Sequence, residues 1–478
     1  MKKILIANRG EIACRVARTC KRLGIATVAV YSDADAGAPH VVIADEAVRI
    51  GPAPVKDSYL SVEAVLGAAR QTGADGIHPG YGLLSEREAF AAAVAEAGIT
   101  FIGPPPAVLA AFGDKIKARQ VARAAGVEPP PGTDGPIRVE DAAAIAAEAE
   151  RIGYPVLVKA AGGGGGIGMQ IVEDPAKLAR AVTACSDRGR AAFGDARVYL
   201  ERYVKTPRHI EVQILCDGRG GVVALGEREC SVQRRHQKIV EESPSPASFF
   251  AGEDGERRRQ ALFDSARRIV ASAGYVGAGT VEFVAGPEGE LFFLEVNARL
   301  QVEHCVTEMC TGLDLVEHQI RIASGEALAP EVRDATRTGH SIEVRLYAED
   351  PAKKFAPQPG RLAHVVWPEA ARDLRVETGV AEGMEITPFY DPLLAKIVAH
   401  AATRPDAIAR LDRALAETTI ELVGPVGPSR TNLEFLRRVL GSPAFASGAY
   451  DTTFAEALAK TPGAAPLDSA GQPRSPGA

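Results

Sequence analysis

Residues 154–172 have the sequence YPVLVKAAGGGGGIGMQIV. Two short runs of β-strand composition, Tyr154–Ala160 and Met169–Val172, flank the glycines, so the pattern predicts a β-hairpin with a polyglycine tip. A glycine run is often a flexible linker between domains. Its position between two strands favours a loop inside one domain, where bare backbone lets N–H groups approach an anion closely. Lys159, near the end of the first strand, can then reach a phosphate under this loop.

The glycine segment does not match a P-loop, because no Gly-Lys-Ser/Thr follows it and no helix is predicted there. We therefore expect a mobile glycine-rich lid over a nucleotide. Further β-like runs follow the hairpin, including His209–Leu215, Thr280–Val284 and Leu291–Asn297. The sequence after about residue 331 is again rich in β-like runs, with two helical segments near its end.

The first hundred residues show a different order of elements. Strand-like Lys3–Ala7, helical Glu11–Leu23 and strand-like Ile25–Tyr31 alternate as in βαβ units around a parallel sheet. Asp33 follows the second strand, where a ribose-binding acid lies in dinucleotide-binding domains. The first turn, Asn8–Glu11, lacks the Gly-x-Gly-x-x-Gly pattern that lets backbone approach a pyrophosphate, so we do not expect NAD binding.

The stretch LEVNARLQVE, residues 294–303, alternates strictly between apolar and polar residues. In an extended strand successive side chains point to opposite faces, so the polar residues share one face. These residues are Glu295, Asn297, Arg299, Gln301 and Glu303. A solvated edge strand is the usual cause of alternation. Here the polar groups are carboxylates, amides and a guanidinium, whereas a wet face more often carries Lys, Thr and Ser, which favours a functional row.

The row has an order that suggests chemistry. Glu282 lies on the preceding strand. The side chains of Glu282, Glu295 and Asn297 each offer an oxygen ligand, and such ligands suit Mg²⁺ bound to nucleotide phosphates. The next polar positions, Arg299 and Gln301, offer planar donors for a small planar oxyanion. The last carboxylate of the row offers a general base. A metal site, an anion site and a base in sequence predict ATP-driven activation of a small acid.

The segment QRRHQK, residues 233–238, is rich in hydrogen-bond donors. A charged run of this kind is most often a solvated loop when it stands alone. In a chain with a glycine lid and a metal-binding row, Gln233, His236 and Lys238 are candidates for contacts with the γ-phosphate or its transfer product. Arg345, on the alternating segment 342–346, is a further candidate. A structural arginine paired with an acid explains it equally well.

The composition excludes several classes of protein. The chain has 478 residues, with 55 Lys and Arg against 61 Asp and Glu, for a formal net charge of −6. This balance argues against a nucleic-acid partner, since such binding depends on concentrated positive charge. No apolar run approaches the roughly 18 residues of a membrane span, and the N-terminus shows no secretory pattern. Seven scattered cysteines without a Cys-x-x-Cys pair indicate reduced thiols. We expect a cytoplasmic protein without a membrane partner.

Together these motifs resemble those of the biotin carboxylases, which are ATP-grasp enzymes. The similarity extends over nearly the whole chain, to about Phe454. The matching segments are Ile4–Ala13, His78–Gly82, Gly113–Lys115, the polyglycine run, Arg208–Gln213, Gln233–Glu242, Glu295–Glu303 and Tyr390–Asp391. No single segment is specific, but the set is.

The resemblance implies a fold of mixed α/β and α+β class in three parts. An N-terminal Rossmann-like domain is expected over residues 1–113, and an ATP-grasp domain over 114–330, with its mobile lid at 131–203. A β-rich C-terminal domain is expected over 331–454. Residues 455–478, rich in Pro, Gly, Ala and Ser towards their end, are expected to form a mostly disordered tail.

The resemblance also implies a reaction, in which biotin on a carrier protein is carboxylated by bicarbonate through carboxyphosphate at the expense of ATP. This is the first half-reaction of biotin-dependent carboxylases such as the acetyl-CoA carboxylase of fatty acid biosynthesis. The residues implied for ATP are Lys115, Lys159, Gly164, Gly165, Gly166, Met169, Glu201, Arg202, Val204, His209, Gln233, His236, Glu282 and Glu295. Those implied for Mg²⁺ or Mn²⁺ are Glu282, Glu295 and Asn297. Those implied for bicarbonate or biotin are Lys238, Arg299, Gln301, Val302 through its backbone, Glu303 as base and Arg345 as the group that stabilises the biotin enolate.

Two positions in the lid depart from the family pattern. The family usually has a basic residue directly after the glycine run and another just beyond Met169, where this chain has Ile167 and Gln170. We expect slower lid closure or weaker nucleotide binding, with activity retained. Two alternatives stay open: another ATP-grasp ligase, such as half of a carbamoyl phosphate synthetase, or a nucleotide-binding regulatory subunit with a weakened lid.

The sequence also bears on partners. No methionine lies in the Ala-Met-Lys-Met context of a biotinylation site. We therefore expect the biotin carboxyl carrier and the carboxyltransferase on separate chains, and the family resemblance suggests a homodimer. The final acyl-CoA or keto-acid acceptor depends on the transferase.

Overall fold

The structure is a computed structural model that describes residues 1–162 and 168–461. Three residues implied for ATP binding, Gly164, Gly165 and Gly166, lie outside the described residues, and so does the chain from residue 462 onwards. Among the described helices, none combines the length and the apolar character that crossing a bilayer requires. All seven cysteines are buried and free.

The described residues include twenty-two strands and sixteen α-helices. The strands are β1 Lys3–Ile6, β2 Ala26–Ser32, β3 Glu46–Gly51, β4 Gly76–His78, β5 Thr100–Phe101, β6 Val156–Ala160, β7 Met169–Val172, β8 Val198–Arg202, β9 Arg208–Cys216, β10 Val222–Arg234, β11 Gln237–Ser243, β12 Gly277–Ala285, β13 Leu291–Asn297, β14 His340–Tyr347, β15 Glu349–Asp350, β16 Ala356–Pro357, β17 Gly360–Val366, β18 Leu374–Thr378, β19 Glu385–Ile386, β20 Leu393–Ala401, β21 Thr419–Gly424 and β22 Gly427–Ser429. The helices are α1 Gly10–Arg22, α2 Pro39–Ile43, α3 Val62–Thr72, α4 Glu88–Glu96, α5 Pro106–Gly113, α6 Lys115–Ala124, α7 Ala142–Ile152, α8 Leu178–Phe193, α9 Gly252–Ser272, α10 His304–Thr311, α11 Leu315–Ala323, α12 Pro330–Arg333, α13 Arg404–Glu417, α14 Leu433–Leu440, α15 Pro443–Ser447 and α16 Phe454–Lys460.

The N-terminal part contains a parallel sheet with strand order β3-β2-β1-β4-β5. Its central strand β1 is apolar at every position from Ile4 to Ile6, and all three side chains are buried. Continuous apolar strands are typical of parallel sheets covered on both faces. The predicted alternation of strands and helices in this region is confirmed.

The predicted glycine hairpin is confirmed at both of its strands. β6 and β7 pair antiparallel, with Lys159 opposite Met169, and β8 pairs with the other edge of β6. Gly168 has a φ of +78°, and a Cβ there would lie 2.9 Å from the Cβ of Ala160, so glycine is required where the loop rejoins the hairpin. Helices α7 and α8 cover these strands and enclose a separate apolar cluster. The lid therefore has its own core.

The largest sheet has eight antiparallel strands in the order β13-β12-β9-β10-β11-β14-β20-β18. Strands β9 to β13 precede the predicted domain boundary at residue 331, and the other three follow it. The pairing of β11 with β14 crosses this boundary, with Val240 opposite Val344. One continuous sheet therefore carries residues that the sequence assigns to two domains.

Two sequence-based expectations need correction. The row of alternating residues is not one strand, because β13 ends at Asn297 and helix α10 begins at His304. Between these two elements, Arg299 donates from Nε to the carboxylate of Glu86 in the N-terminal part. Residues 455–460 of the segment expected to be mostly disordered are helical, since α16 continues to Lys460. Apolar residues of α16 pack against the C-terminal core, which holds the helix in place.

Candidate active site

One cavity of about 760 Å³ lies at the lid hairpin and the large sheet. Every site residue implied by the sequence and present in the described part of the chain lines this cavity. They are Lys115, Lys159, Met169, Glu201, Arg202, Val204, His209, Gln233, His236, Lys238, Glu282, Glu295, Asn297, Arg299, Gln301, Val302, Glu303 and Arg345. Although the alternating row is not a single strand, its polar side chains therefore converge on one volume.

The predicted metal ligands lie at the start of this row. Glu282 on β12 is directly opposite Glu295 on β13, so the two carboxylates share one face. Asn297 donates from Nδ2 to Glu282 Oε1 at 2.8 Å. Turning the amide by 180° about its last side-chain bond would present its oxygen at the same place. Two carboxylates and one amide oxygen within reach of one another fit a Mg²⁺ ion, which prefers oxygen ligands.

Two lysines stand on the lid side of the cavity, each paired with a carboxylate. Lys159 Nζ lies 3.0 Å from Glu201 Oε1, and both residues are buried. Arg119 holds the second oxygen of Glu201, at 3.0 Å. Lys115 pairs with Glu295. Burial raises the pKa of Glu295, but the Lys115 ammonium outweighs it and the pKa is lowered. These lysines are positioned for anionic groups that could replace their present partners.

The QRRHQK segment forms a hairpin turn with two residues between β10 and β11. Arg235 and His236, the two turn residues, have φ values of +48° and +66°. Positive φ at both central positions is the type I′ geometry that matches strand twist, though it is unfavourable for residues with a Cβ. The turn brings Gln233 directly opposite Lys238 at the cavity wall. The alternative of a solvated loop is therefore wrong for Gln233 and Lys238.

Lys238 lies at the centre of a cluster of carboxylate and amide oxygens in the site. Its Nζ donates to Glu211 at 2.6 Å, Glu303 at 2.6 Å, Glu282 at 3.0 Å and the side-chain oxygen of Gln301 at 3.0 Å. Burial alone would lower the pKa of this amine, but the surrounding anions raise it well above its ordinary value. The cation therefore stays charged in a pocket rich in oxygen ligands.

Glu303 lies between two cations. Its Oε1 accepts from Lys238, and its Oε2 lies 2.9 Å from Arg345 Nη2. Burial raises the pKa of this carboxyl, yet Lys238, Arg345 and Arg228 together hold the pKa far below its usual value. Glu303 is therefore ionised and able to accept a proton. Its role as the base that the alternating row predicts stays a prediction.

His209 occupies the opposite side of Glu282, with Nε2 2.8 Å from Glu282 Oε2. Burial opposes the charge on the ring, but the Glu282 carboxylate raises the pKa of His209 above its ordinary value. The pKa of Glu282 is lowered well below its usual range, in spite of burial, by Lys238 and by this histidine. The site thus alternates positive and negative groups along its length.

Four residues of the site were missed by the sequence reasoning. Glu211 and Arg228 are completely buried and pair with each other beneath Lys238. Glu211 alternates with apolar residues in Arg208–Gln213, so the pattern that identified the row 294–303 could have found it. Glu86, which accepts from Arg299 Nε at 2.9 Å, and Lys396, whose Nζ donates to the carbonyl oxygen of Val302 at 2.5 Å, come from distant parts of the chain and carry no local signal.

At one of the two lid positions that lack the family's basic residue, the structure places another basic side chain nearby. Gln170 lines the cavity, and its side-chain oxygen accepts from Arg188 Nη2 at 3.0 Å. Arg188 belongs to α8, so the helix behind the lid brings a guanidinium to the position where the sequence lacks a basic residue. Ile167 lies outside the described residues.

Comparison with known proteins decides the family. Residues 1–109 match the model for the biotin carboxylase N-terminal domain, 114–331 that for the carbamoyl-phosphate synthase L chain ATP-binding domain, and 343–457 that for the biotin carboxylase C-terminal domain. A biotin carboxylase from Halalkalibacterium halodurans is 48% identical over 453 residues, which cover 95% of this chain and 97% of that protein. The chain belongs to the biotin carboxylase family.

Two further comparisons describe what other members of the biotin carboxylase family contain. The propionyl-CoA carboxylase alpha chain of Ruegeria pomeroyi is 45% identical over 471 residues, covering 95% of this chain and 67% of that one. A crystal structure of the biotin carboxylase domain dimer of Hydrogenobacter thermophilus 2-oxoglutarate carboxylase, in complex with MgADP, ADP and bicarbonate, has a TM-score of 0.89 and 42% identity. The superposition covers 97% of this chain and 99% of that one. The expected three-part fold is confirmed by this likeness.

Proposed function

We propose that the protein carboxylates biotin in an ATP-dependent reaction, in which bicarbonate is first phosphorylated to carboxyphosphate. The observation that supports this best is the setting of Glu303, a buried carboxylate between Lys238 and Arg345. The same cavity holds the carboxylate pair Glu282 and Glu295. A base, fixed cations, metal ligands and a nucleotide lid in one volume are the groups that this reaction requires.

ATP is the cosubstrate, bound between the lid hairpin and the large sheet. Lys115 and Lys159 take its phosphates, and the family resemblance adds Gly164, Gly165 and Gly166, which lie outside the described residues, to the ATP-binding set. The residues proposed to complete this site are Met169, Glu201, Arg202, Val204, His209, Gln233 and His236. Glu282, Glu295 and Asn297 would hold Mg²⁺, or Mn²⁺ in its place. When bound, the metal supplies neutralisation of the phosphate charge.

Bicarbonate is held by Lys238, Arg299, Gln301 and the backbone of Val302, and Glu303 removes its proton. A carboxylate with a depressed pKa is a weak base towards water. The cations that depress it also lower the pKa of an anion bound beside them, so proton transfer between the two stays feasible. The carbonate oxygen then attacks the γ-phosphorus, the bond to the bridging oxygen breaks, and ADP leaves with that electron pair.

Carboxyphosphate next breaks its carbon–oxygen bond to give CO₂ and phosphate. The released phosphate oxygen takes the N1′ proton of biotin, and the biotin enolate attacks CO₂. Arg345 stabilises the charge that develops on the enolate oxygen, a role suited to a fixed cation in a site shielded from water. Arg345 is buried at the cavity wall, next to Glu303, which supports this assignment.

The partners follow from the same reaction. We propose that a separate carrier chain presents the biotin and that a carboxyltransferase on another chain receives the carboxyl group. The dimer seen in the Hydrogenobacter thermophilus relative supports a homodimer here. Seven free, buried cysteines are typical of a reducing compartment, and we assign the reaction to the cytoplasm.

The test measures ADP release with and without bicarbonate and biotin, together with transfer of labelled carbon from bicarbonate to biotin. We expect ADP release to depend on bicarbonate and to rise with biotin. ADP release that ignores both would indicate another ATP-grasp ligase. Binding of one equivalent of ATP without turnover, even with a biotinylated carrier, would indicate a regulatory subunit. The intact row of base, cations and metal ligands favours the enzyme.

A further inference from the structure

A pair of buried acids lies behind the cavity, in the part of the large sheet that packs against α10. Glu241 on β11 is directly opposite Glu343 on β14, and both side chains are completely buried. Among the described residues, Glu343 has no hydrogen-bond donor, and Glu241 has only an ion pair with Arg345. Neither residue has a role in the reaction described above, and buried polar groups without partners call for an explanation.

The pair keeps one proton. Side chains at directly opposite positions of antiparallel strands have Cβ atoms about 4.5–5.5 Å apart, and two buried carboxylates that close do not both ionise. Arg345 Nη2 lies 2.5 Å from Glu241 Oε1, which stabilises the charge on Glu241. The amine of Lys396 instead donates to the carbonyl oxygen of Val302 and lies 3.3 Å from Cys305 Sγ. Glu343 therefore holds the proton and Glu241 the charge.

The pKa values of the two acids agree with this division. Burial raises both, and the pKa of Glu343 lies well above its ordinary value. Arg345 offsets part of the effect of burial at Glu241, whose pKa is raised only to about 7. The titratable and charged groups that face Glu241 are Arg345, Glu343, Glu303, Lys238, Cys230 and Tyr347. Those that face Glu343 are Lys396, Cys305, Glu241 and Arg345.

Arg345 is shared between two acids through one nitrogen. Its Nη2 lies 2.5 Å from Glu241 and 2.9 Å from Glu303, while its Nε has no partner among the described residues. When Glu303 takes the bicarbonate proton it becomes neutral and holds Arg345 less strongly, since hydrogen bonds between charged groups are about twice as strong as neutral ones. Arg345 then keeps Glu241 as its anionic partner, at the stage when the biotin enolate forms.

We propose that Glu241 is a positioning residue for biotin carboxylation, which holds Arg345 in place after Glu303 has been protonated, and that Glu343 serves it by carrying the shared proton. This inference rests on the proposed function. It assigns Glu241 to the second half of the reaction, after carboxyphosphate has formed. A residue with a purely structural role would affect both halves alike.

The test compares two rates in wild type, Glu241→Gln, Glu241→Asp and Glu343→Gln: ADP release with bicarbonate alone, and carboxybiotin formed per ADP released. In Glu241→Gln we expect ADP release to fall by no more than about threefold and the carboxybiotin ratio to fall tenfold or more. Glu241→Asp retracts the charge by one methylene and should give an intermediate ratio. Glu343→Gln replaces a neutral acid by a neutral amide and should change the ratio less than twofold.

The pH dependence gives a second readout. An acid with its pKa raised to about 7 is charged above that pH, so the wild-type ratio should rise as the pH increases through neutrality. Glu241→Gln should stay at the low-pH ratio throughout. A wild-type ratio in Glu241→Gln, an equal loss of both rates, or a larger effect in Glu343→Gln would each overturn the proposal. If Glu241→Gln does not fold, a wild-type ratio in Glu241→Asp overturns the proposed role of Glu241. If the wild-type protein itself shows no biotin-dependent turnover, the proposed function is refuted.

Discussion

Replacing Glu303 by Gln removes the proposed base while nearly preserving the shape of the side chain. General base catalysis contributes about 10²- to 10⁴-fold, so bicarbonate-dependent ADP release should fall by that factor, or about 3–5 kcal/mol in the barrier. The loss of folding stability should be smaller. Lys238 keeps Glu211 at 2.6 Å and Glu282 at 3.0 Å, and Arg345 keeps Glu241 at 2.5 Å, so neither cation is left unpaired. We expect a cost of about 1–2 kcal/mol.

The assay follows ADP release against bicarbonate concentration, with ATP affinity measured separately by equilibrium binding. Glu303 makes no contact with Lys115 or Lys159, so the Kd for ATP should change by less than about threefold, or about 0.6 kcal/mol. Glu227→Gln is the matched control, because Glu227 is completely buried and pairs with Arg259 and Arg337 but does not line the cavity. It should lose stability and keep its rate per folded molecule. A Glu303→Gln protein with more than a tenth of the wild-type rate would exclude Glu303 as the base.

Three further predictions concern stability, the lid and the metal. Burial opposes the charge on Glu242, but His340 and Arg404 outweigh burial and lower the pKa of Glu242 from 4.5 to about 2. The ionised carboxylate therefore stabilises the folded protein by about 3 kcal/mol. This contribution is complete above pH 4.5 and is lost as the pH falls towards 2. Melting curves of wild type and Glu242→Gln should therefore differ at neutral pH and converge in acid; a constant difference would contradict this. Gln170→Arg should lower the KM for ATP several-fold by adding a cation to the lid, whereas the control Gln170→Ala should leave the KM unchanged. Equal KM values in the two variants would show that charge at this position is unimportant. EDTA should abolish ADP release reversibly, and Glu295→Gln should raise the Mg²⁺ concentration for half-maximal rate about tenfold or more; an unchanged Mg²⁺ requirement would remove Glu295 from the ligands.

The sequence was sufficient for those parts of the site that depend on local pattern. The glycine hairpin, the pairing of Glu282 with the strand of Glu295 and the β-strand of Arg345 all follow from period-two alternation and turn residues, because strand geometry fixes which side chains share a face. The convergence of the predicted residues on one cavity was expected from the order of groups along 294–303. Their chemical roles stay predictions.

Local pattern could not give contacts between distant segments. The partners of Arg299 and Val302 are Glu86 and Lys396, which are more than 90 residues away in each case. Such pairs depend on how the N-terminal sheet and the large sheet pack together, and no periodicity encodes that. The end of β13 at Asn297 was missed for a related reason. After Asn297 the chain leaves the sheet and Arg299 contacts Glu86, although the alternation of apolar and polar residues continues to Glu303.

The pairing of β11 with β14 has a consequence for the two cations that flank Glu303. Lys238 and Arg345 stand on neighbouring strands of one hydrogen-bonded sheet, so no hinge separates them. The apolar cluster of the lid hairpin is separate from this sheet, so the spacing of the two cations does not depend on it. The two cations that flank Glu303 are therefore held at one spacing by backbone hydrogen bonds between their strands.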